Sequence, residues 1–502
     1  MRRGWCVLAL LIIAAPCASA QQSLRIDGPN HSEATFLLRT AAAGPHDLIV
    51  ADSSRRLTFP RGTTVPRTTI IVGGDASVAA TVHGDVIVVG GDLFLQPGAT
   101  IRGKAVAIGG GVYGSTLALV TEGTRSIRDR TFDVSRTPDG LQLDYRRLGA
   151  RDPTIEFPLL DGLRVPSYDR VEGASVAWGP ILRPTARLEI DPTVTYRSHL
   201  GAWDPGLHLL VEPGEIWRLT LDARRGTFTN DAWINSDVVN SITTFSVGSD
   251  KRNYYRADRI EAAVGRIDRL TIAPTTSVEV ETYAGALTER AWSIGSPDTL
   301  GSHPWTVLNQ EDPDNVRRAN PAIEPGRISA AVLGATARWR YGDVAAGAIA
   351  RIEVPWQAPN DARFVQITAD GTIQFPTFGL QRFRADIHVV ATPGDTAPPQ
   401  RFSYMGGSST LPVIRSLLSL GGDQVFHVDM RYEVPLPRLA IPYAGAPVLA
   451  LRHRIGSAGV QDLPRFIQNV GATASLSFLR IAYDIDPASR EDHFGIVFSF
   501  TR

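Results

Sequence analysis

Apolar and polar residues alternate strictly along many stretches of the second half of the chain. In the clearest stretch, residues 426–434, every second residue is apolar and every residue between is ionisable. A period of two places these classes on opposite faces of a β-strand. Comparable stretches are residues 217–224, 333–341, 383–389 and 479–486. These stretches are seven to nine residues long. That is close to the length of a tilted membrane strand, whereas strands of globular proteins average about five to six residues.

The connections between these stretches differ in length. Tight connections lie near residues 341–343 and 372–379, and long polar ones at 228–252, 292–327 and 392–422. Short turns at one end and long loops at the other are typical of outer-membrane barrels, which use even strand numbers in bacteria. We therefore predict an all-β fold in which residues 167–502 form a transmembrane antiparallel β-barrel of about 14–16 strands. A soluble β-sandwich is the alternative.

The last alternating stretch, residues 493–500, ends two residues before the C-terminus. Phe494, Ile496, Phe498 and Phe500 share one face, and Gly495 lies on the other. The spacing of the glycine and the two last aromatic residues resembles the C-terminal signal by which bacterial outer-membrane barrels are recognised for insertion. The alternative is an ordinary core strand at a chain end.

The N-terminus has the pattern of a secretory signal peptide. Arg2 and Arg3 precede a short apolar run, and Ala18-Ser19-Ala20 offers a small-residue cleavage site. We predict removal of residues 1–20, which contain the only two cysteines, Cys6 and Cys17. The mature chain would then have no disulfide and no thiolate metal site, as suits an exported protein of the bacterial envelope.

A short repeat occupies the next part of the chain. Ile71-Val72-Gly73-Gly74-Asp75 recurs as Val88-Val89-Gly90-Gly91-Asp92 and as Ala107-Ile108-Gly109-Gly110-Gly111, at steps of about 17 and 19 residues. This period predicts a small parallel β-solenoid over residues 68–120, between a β segment (21–67) and a linker or hairpin (121–166). The stretch resembles the bactofilin-type β-helix, which implies a right-handed solenoid. It could act as a plug, scaffold or self-association element, or as a simple folded spacer.

Charge and motifs exclude several functions. Basic and acidic residues number 51 each, which gives no electrostatic case for a nucleic-acid partner. His388, His427 and His493 lie near aspartates on polar strand faces, so an outer-membrane hydrolase must be considered. No metalloprotease, nucleophile-elbow or paired-histidine spacing accompanies them. We therefore predict no catalytic residue, no metal and no cofactor.

Residues 168–502 show a resemblance to a known family. Tyr168-Asp169-Arg170-Val171-Glu172-Gly173, then residues 405–411, 420–424 and 430–437, follow the order of the BamA/TamA-type bacterial surface-antigen barrels. In that family a long loop folds into the lumen, and its arginine tip pairs with acidic residues. The resemblance implies that Arg415 and Glu433 form this pair. Ser416 and Leu417 replace the family's glycine and aromatic residue, and the chain has no room for its periplasmic POTRA domains.

The resemblance also implies a weak seam between the first and last barrel strands. Its predicted residues, with those of the C-terminal signal, are Val171, Glu172, Gly173, Gly495, Phe498 and Phe500. An edge that opens there would template client strands or perturb the bilayer. The predicted function is assistance in the insertion or assembly of envelope proteins or lipids, with a passive channel or structural envelope anchor as the alternative.

The expected location is the bacterial outer membrane, with the N-terminal module in the periplasm. The expected partners are outer-membrane lipid, the barrel assembly machinery, client envelope proteins and further copies bound through the solenoid.

Overall fold

The computed structural model describes residues 23–498, except 30–31, 52–55, 116–117, 138–139, 149–153, 159–160, 186, 215, 274–275, 295–304, 309–317, 342–343, 437–438, 440–445 and 477–478. The predicted signal peptide and Phe500 lie outside the described residues. Within them the chain is nearly all β, with two α-helices. Neither helix is long and apolar enough to cross a membrane, as judged on the described residues.

The N-terminal module begins with strand β1 (Ser23–Asp27) and helix α1 (Glu33–Ala43). Short strands follow: β2 (His46–Val50), β3 (Leu57–Phe59), β4 (Thr64–Val65), β5 (Thr68–Val72), β6 (Ala76–Val78), β7 (Thr81–Val82), β8 (Val86–Val89), β9 (Leu93–Leu95), β10 (Thr100–Ile101), β11 (Ala105–Ile108), β12 (Val112–Gly114), β13 (Leu119–Val120) and β14 (Thr124–Ile127). Every third strand pairs in parallel, which gives three stacks, β2-β5-β8-β11-β14, β3-β6-β9-β12 and β4-β7-β10-β13. The predicted parallel β-solenoid is therefore confirmed, and it extends from His46 to Ile127, beyond the predicted range on both sides.

The repeated residues have matching places in successive coils. Ile71 pairs with Val88, and Val88 pairs with Ala107, so the apolar residues stack in a fully buried column. At the following corner, Asp92 accepts a hydrogen bond from the backbone N–H of Gly111 through Oδ1, at 2.7 Å. One coil earlier, Asp75 accepts from the N–H of Asp92 at 2.9 Å. The aspartates thus satisfy backbone donors where the chain turns between strands.

One face of the solenoid carries a helix and a hairpin. The apolar side of α1, with Leu38 at its centre, packs against this face in one buried cluster. Strands β15 (Arg130–Thr137) and β16 (Gly140–Arg147) form a hairpin that contributes Phe132 and Leu143 to the same cluster. β1 pairs in parallel with β16. Of the two alternatives for residues 121–166, a linker or a hairpin, the structure contains a hairpin, and the predicted β segment contains a helix.

The remaining elements form the large sheet and its loops. They are β17 (Ile155–Glu156), β18 (Ser167–Asp169), β19 (Gly173–Trp178), β20 (Ile181–Thr185), β21 (Leu188–Arg197), β22 (Ala202–Val211), β23 (Trp217–Phe228), α2 (Asp237–Val247), β24 (Tyr255–Ala273), β25 (Thr276–Trp292), β26 (Gly326–Tyr341), β27 (Val344–Gln357), β28 (Gln366–Pro376), β29 (Arg382–Ala391), β30 (Ser403–Met405), β31 (Leu420–Gly422), β32 (Gln424–Pro435), β33 (Val448–Gly459), β34 (Ile467–Leu476), β35 (Leu479–Ile485) and β36 (Asp492–Phe498). All of these strands except β30 and β31, which pair with each other, belong to one sheet of 18 strands.

The count of 18 exceeds the predicted 14–16 because two strand positions are interrupted. β19 and β20 both pair with β21, on either side of Gly179-Pro180, and so form one broken strand. β17 and β18 lie along the other side of that strand. The sheet therefore has sixteen strand positions, fourteen of them unbroken. In the described residues no pairing joins the β17–β18 edge to β36.

The two ends of the sheet differ. The long connections, residues 229–254, 293–325 and 392–423, leave from one end, which we call the loop end. Short connections such as 274–275 and 377–381 lie at the other, the turn end. The predicted asymmetry of the connections is therefore present.

Candidate functional site

The two faces of the large sheet have opposite polarity. On the outer face, apolar side chains are exposed, with Leu451 at 66% and Phe494 at 64%. Others on this face are Leu219, Ile260, Val264, Leu333, Ile387, Ile481 and Ile496. On the inner face, ionisable side chains are buried, with Asp429 at 4% and Arg454 at 1%. A water-soluble sandwich has the reverse arrangement, because exposed apolar area and buried charge both cost free energy in water.

A buried ion-pair network holds one loop against the inner face. Arg401 lies in the 392–423 loop and is 3% exposed. Its Nη1 donates to Glu289 Oε1 at 2.7 Å, and its Nε donates to Glu353 Oε1 at 2.9 Å. Burial disfavours the charge of Arg401, but these two carboxylates overcome that cost and raise the pKa of Arg401 above its usual value. The loop is thereby fixed to strands β25 and β27.

The predicted Arg415–Glu433 pair is replaced by other contacts. Arg415 is exposed, and Glu433 Oε2 instead accepts a hydrogen bond from Arg382 Nε at 2.7 Å. Glu433 lies nine residues along β32 from Gln424, roughly 30 Å from the loop end at the usual rise per residue. Arg401 is the arginine of this loop that meets acidic strand residues.

The histidines singled out in the sequence do not form a shared site with their neighbouring aspartates. The indole of Trp233, in the 229–254 loop, stacks on the His388 ring with centroids 4.1 Å apart. His388 Nδ1 lies 2.7 Å from Asp370 Oδ1 rather than beside Asp386. His427 also lies against the same indole, at 5.2 Å. An aromatic ring therefore covers two of the three rings on the inner face.

The same loop joins the 392–423 loop through a buried carboxylate. Trp233 Nε1 donates to Ser403 Oγ at 2.9 Å. The backbone N–H groups of Tyr404 and Asn253 donate to Asp231, each at 2.9 Å. Burial raises the pKa of Asp231 to about 7, although these two hydrogen bonds act in the opposite direction. The 229–254 and 392–423 loops thus form one connected structure at the loop end.

Helix α2 and the residues after it cover the first edge of the sheet. Ser236 caps the start of α2 by accepting a hydrogen bond from Val239 N–H, and Gly248 ends it in the left-handed conformation. Ser241 Oγ accepts from the backbone N–H of Tyr168, on β18, at 3.1 Å. The Tyr168 ring meets that of Phe245 edge-on, with centroids 5.4 Å apart. The edge donor of β18 is therefore satisfied by a side chain and not by another strand.

Arg170, immediately after β18, anchors the same region. Its backbone N–H donates to Asp250 Oδ2 at 3.0 Å. Its guanidinium, fully buried, donates to the backbone carbonyls of Arg318 at 2.6 Å and Arg252 at 3.1 Å. Residues of the 229–254 and 293–325 loops thus converge on the end of the first strand position.

The predicted seam residues have several different places. Val171 and Glu172 are buried in the connection between β18 and β19, where Glu172 pairs with Arg197. Gly173 begins β19 with φ of +67°, and a Cβ there would lie 2.4 Å from Ser198 Oγ. β19 pairs on both sides, so the free edge is β17–β18 and not residues 171–173. Gly495 lies in β36 opposite Ala482, and the backbone of Phe498 pairs with Leu479.

The solenoid meets the turn end of the sheet. Glu122, after β13, forms an ion pair with Arg340 near the end of β26. A polar cavity beside this contact is lined by Glu33 and Arg125 from the N-terminal module and by Glu212, Arg218 and Arg269 from the sheet. Arg125 itself donates to Glu33, at 2.6 Å. Charged groups of both signs therefore line this junction.

The sequence analysis missed Arg401, Ser241 and Asp250. Each has a partner more than 70 residues away, and no local spacing marks such contacts. One signal was available: Pro398-Pro399 precedes Arg401, and prolines stiffen a loop that must present one side chain.

Comparison with known proteins gives distant structural similarity. No family model matches the chain, and no curated protein matches it. Among solved structures, CdiB from Acinetobacter baumannii is 12% identical with a TM-score of 0.38, over 73% of this chain and 64% of that one. BamA from Haemophilus ducreyi, lacking POTRA domains 1–3, is 10% identical with a TM-score of 0.40, over 73% of each chain. CdiB from Escherichia coli is 9% identical with a TM-score of 0.39, over 73% of this chain and 66% of that one. The match thus spans less than two thirds of the first of these proteins.

Proposed function

We propose that the chain is a bacterial outer-membrane β-barrel that assists the insertion or assembly of envelope proteins or lipids. The single observation that carries the membrane location is the reversed polarity of the large sheet. Leu451 and Phe494 are largely exposed, whereas Asp429 and Arg454 are buried. Lipid is the surrounding in which an exposed apolar outer face is favourable.

The assembly role rests on the first edge of the sheet. A strand edge with backbone donors is a template for pairing with another strand. Here the N–H groups of Tyr168 and Arg170 are satisfied by Ser241 and Asp250, on a helix and a loop. A client strand could replace these side-chain acceptors with its own backbone carbonyls once α2 moves away.

The remaining parts of the proposal concern location and partners. The solenoid would lie in the periplasm, below the turn end, and the long loops would face outwards. The barrel assembly machinery would insert the chain by recognising Gly495, Phe498 and Phe500 in its last stretch. Client envelope proteins and outer-membrane lipid are the proposed partners at the first edge.

A structural anchor is the second candidate, and a specific contact favours it. The Glu122–Arg340 ion pair joins the solenoid to the sheet, so a force on the periplasmic module would reach the membrane part. An anchor needs no movement of α2, and this separates the two candidates.

The membrane location is tested by heat-modifiable migration of the protein from membrane fractions. We expect a faster-migrating folded form in unheated samples of the outer-membrane fraction. Recovery of the full-length protein in the soluble periplasmic fraction would contradict the location.

The assembly role is tested by locking α2 to the first edge. Tyr168→Cys with Phe245→Cys places two thiols where the native rings touch, and a short thiol cross-linker joins them. We expect cross-linking to reduce assembly of a client barrel into proteoliposomes at least tenfold. Phe94→Cys with Tyr113→Cys, whose rings stack at 5.2 Å in the solenoid, is the matched control lock. Equal assembly with both locks would contradict the assembly role and leave the anchor.

A further inference from the structure

Lys251 is a buried lysine whose side-chain nitrogen contacts two serine hydroxyl groups. It follows α2 in the 229–254 loop and is 4% exposed. Its Nζ lies 2.8 Å from Ser408 Oγ and 2.6 Å from Ser409 Oγ. Among the described residues, no carboxylate lies within ion-pair distance of Lys251. Other buried cations there, such as Arg401 and Arg452, each pair with a carboxylate.

A buried ammonium group without a counter-ion is unfavourable, so the neutral amine is populated at a lower pH than in water. Burial is the main effect and the nearby Arg454 charge adds to it, and together they lower the pKa of Lys251 to about 8. Among the other charged groups of this neighbourhood, Asp429 Oδ1 lies 3.9 Å from Arg454 Nε and Asp484 Oδ1 lies 3.8 Å from Arg454 Nη1. His493, on β36, is a further titratable group close enough to interact with the charge of Lys251. A neutral amine can accept the proton of a serine hydroxyl, as a general base must.

The two serines sit on a tight, well-fixed turn. Gly406 and Gly407 precede them with φ of +129° and +83°, and a Cβ on Gly406 would lie 2.7 Å from Ser416 O. The N–H of Gly406 donates to Thr410 Oγ1, and the N–H of Gly407 donates to Ile414 O, each at 2.8 Å. The serines themselves are half-buried, whereas Lys251, which both of them contact, is buried.

A cation lies close to the same turn. Arg454 Nη1 donates to the backbone carbonyl of Ser408 at 3.5 Å. Its Nε is buried, lies 3.9 Å from Asp429 Oδ1 and makes no hydrogen bond within the described residues. A guanidinium that contacts the Ser408 backbone stabilises negative charge that develops next to that residue.

We propose that Lys251, Ser408 and Ser409 form an acyl-transfer site for acyl esters, a function beyond the proposed assembly role and independent of it. One serine Oγ attacks the carbonyl carbon of the ester while the Lys251 amine accepts the hydroxyl proton. The ester C–O bond breaks, and the leaving alkoxide takes that proton and departs as an alcohol. Water, deprotonated by the same amine, then cleaves the acyl-serine and releases a carboxylic acid.

No local sequence pattern marks this site. Lys251 and Ser408 are 157 residues apart, and neither stands in a recognised nucleophile motif. Its three groups are also distinct from the His388 and His427 rings.

The test uses a fluorophosphonate probe on the full chain in membranes, followed by peptide mapping. We expect labelling of Ser408 or Ser409 that rises about tenfold between pH 7 and pH 9, as an amine with a pKa of about 8 loses its proton. Lys251→Met should reduce labelling about 100-fold or more, the usual contribution of a general base. Lys104→Met and Ser419→Ala, a lysine of the solenoid and an exposed serine of the same loop, should leave it unchanged.

Heat-modifiable migration shows whether each variant has folded. If Lys251→Met does not fold, Ser408→Ala, Ser409→Ala and the pH profile of the unmodified protein decide. Absence of label on both serines at pH 9 would overturn the proposal. So would labelling that is equally strong in folded Lys251→Met, or that does not rise with pH, because a purely structural contact between the loops predicts both.

Discussion

The solenoid and the large sheet are built from similar alternating strands, yet they bury opposite kinds of residue. In the solenoid, Ile71 and Val88 are fully buried in a column of apolar side chains. In the sheet, Leu451 is 66% exposed, and Asp429 of the neighbouring strand is 4% exposed. The difference lies in what each module encloses. A coil of three short strands encloses only its own side chains, whereas a sheet of sixteen strand positions encloses polar loops.

The interior of the sheet is stabilised mainly by interactions between charged groups. Its inner face is held by charge-assisted hydrogen bonds, such as those of Arg401 with Glu289 and Glu353. The solenoid relies on apolar burial together with the repeated aspartates at its corners. Substitutions that remove a charge should therefore affect the sheet more than the solenoid.

The largest effect is expected at Arg401. Arg401→Met would leave Glu353 buried without its cation, and loss of one partner of a buried pair costs about 3–5 kcal/mol. We expect the midpoint of urea unfolding in lipid to be lower, with heat-modifiable migration used to measure the folded fraction. Arg415→Met, an exposed arginine of the same loop, is the control and should change stability by less than about 0.5 kcal/mol. Equal effects of the two substitutions would show that the ion pairs of Arg401 do not contribute to the stability of the sheet.

The next largest effect is expected on the outer face. Leu451→Arg would place a charge on the surface proposed to meet lipid, at a cost of about 2–4 kcal/mol near the middle of the bilayer. Measured in the same way, Thr64→Arg on the exposed side of the solenoid should be nearly neutral. A neutral Leu451→Arg would show that water, and not lipid, bathes this face.

A smaller effect is expected at the solenoid corners. Asp92→Ala removes the acceptor of the 2.7 Å hydrogen bond from Gly111 N–H, and an unsatisfied buried donor costs about 1–3 kcal/mol. Asp92→Asn keeps an oxygen acceptor and should lose less. Hydrogen exchange of the Gly111 amide in the full chain measures the change. Identical exchange rates in both variants would exclude the aspartate contact as the cause.

Local patterns predicted much of the fold. The alternation in residues 426–434 and 479–486 identified strand faces correctly, because a period of two fixes the side on which each residue lies. The Gly-Gly repeats identified the solenoid, since each coil reuses the same corner. Helix α1 escaped notice, although Ala34, Leu38 and Ala41 lie on one buried side, because its eleven residues are few and stand among strands.

Contacts between distant segments were not predictable in the same way. Arg415 was chosen by its place in a motif, but Glu433 bonds with Arg382 on the neighbouring strand instead. The cover over the first edge depends on Ser241, which has a common residue type and no distinctive neighbours. Lys251 is one of two lysines in the sequence, and that rarity was its only local signal.

The smallest effect concerns pH and the junction of the two long loops. Burial raises the pKa of Asp231 from 3.8 to about 7, so the folded protein holds a proton there that the unfolded chain releases above about pH 4. Stability from this group is therefore greatest at low pH and falls as the pH rises towards about 7. We expect faster hydrogen exchange of the Tyr404 amide at pH 7 than at pH 5, after correction for the intrinsic pH dependence.

Asp231→Asn separates this effect from general loosening of the loops. The amide cannot ionise, yet its oxygen still accepts hydrogen bonds from Tyr404 and Asn253, so the corrected exchange rate should lose its pH dependence. Asp361→Asn, which changes an exposed carboxylate, should keep that dependence. If Asp231→Asn kept it as well, another group would govern the junction. In the solenoid, where buried residues are mainly apolar, the same change of pH should leave the Val88 amide protected.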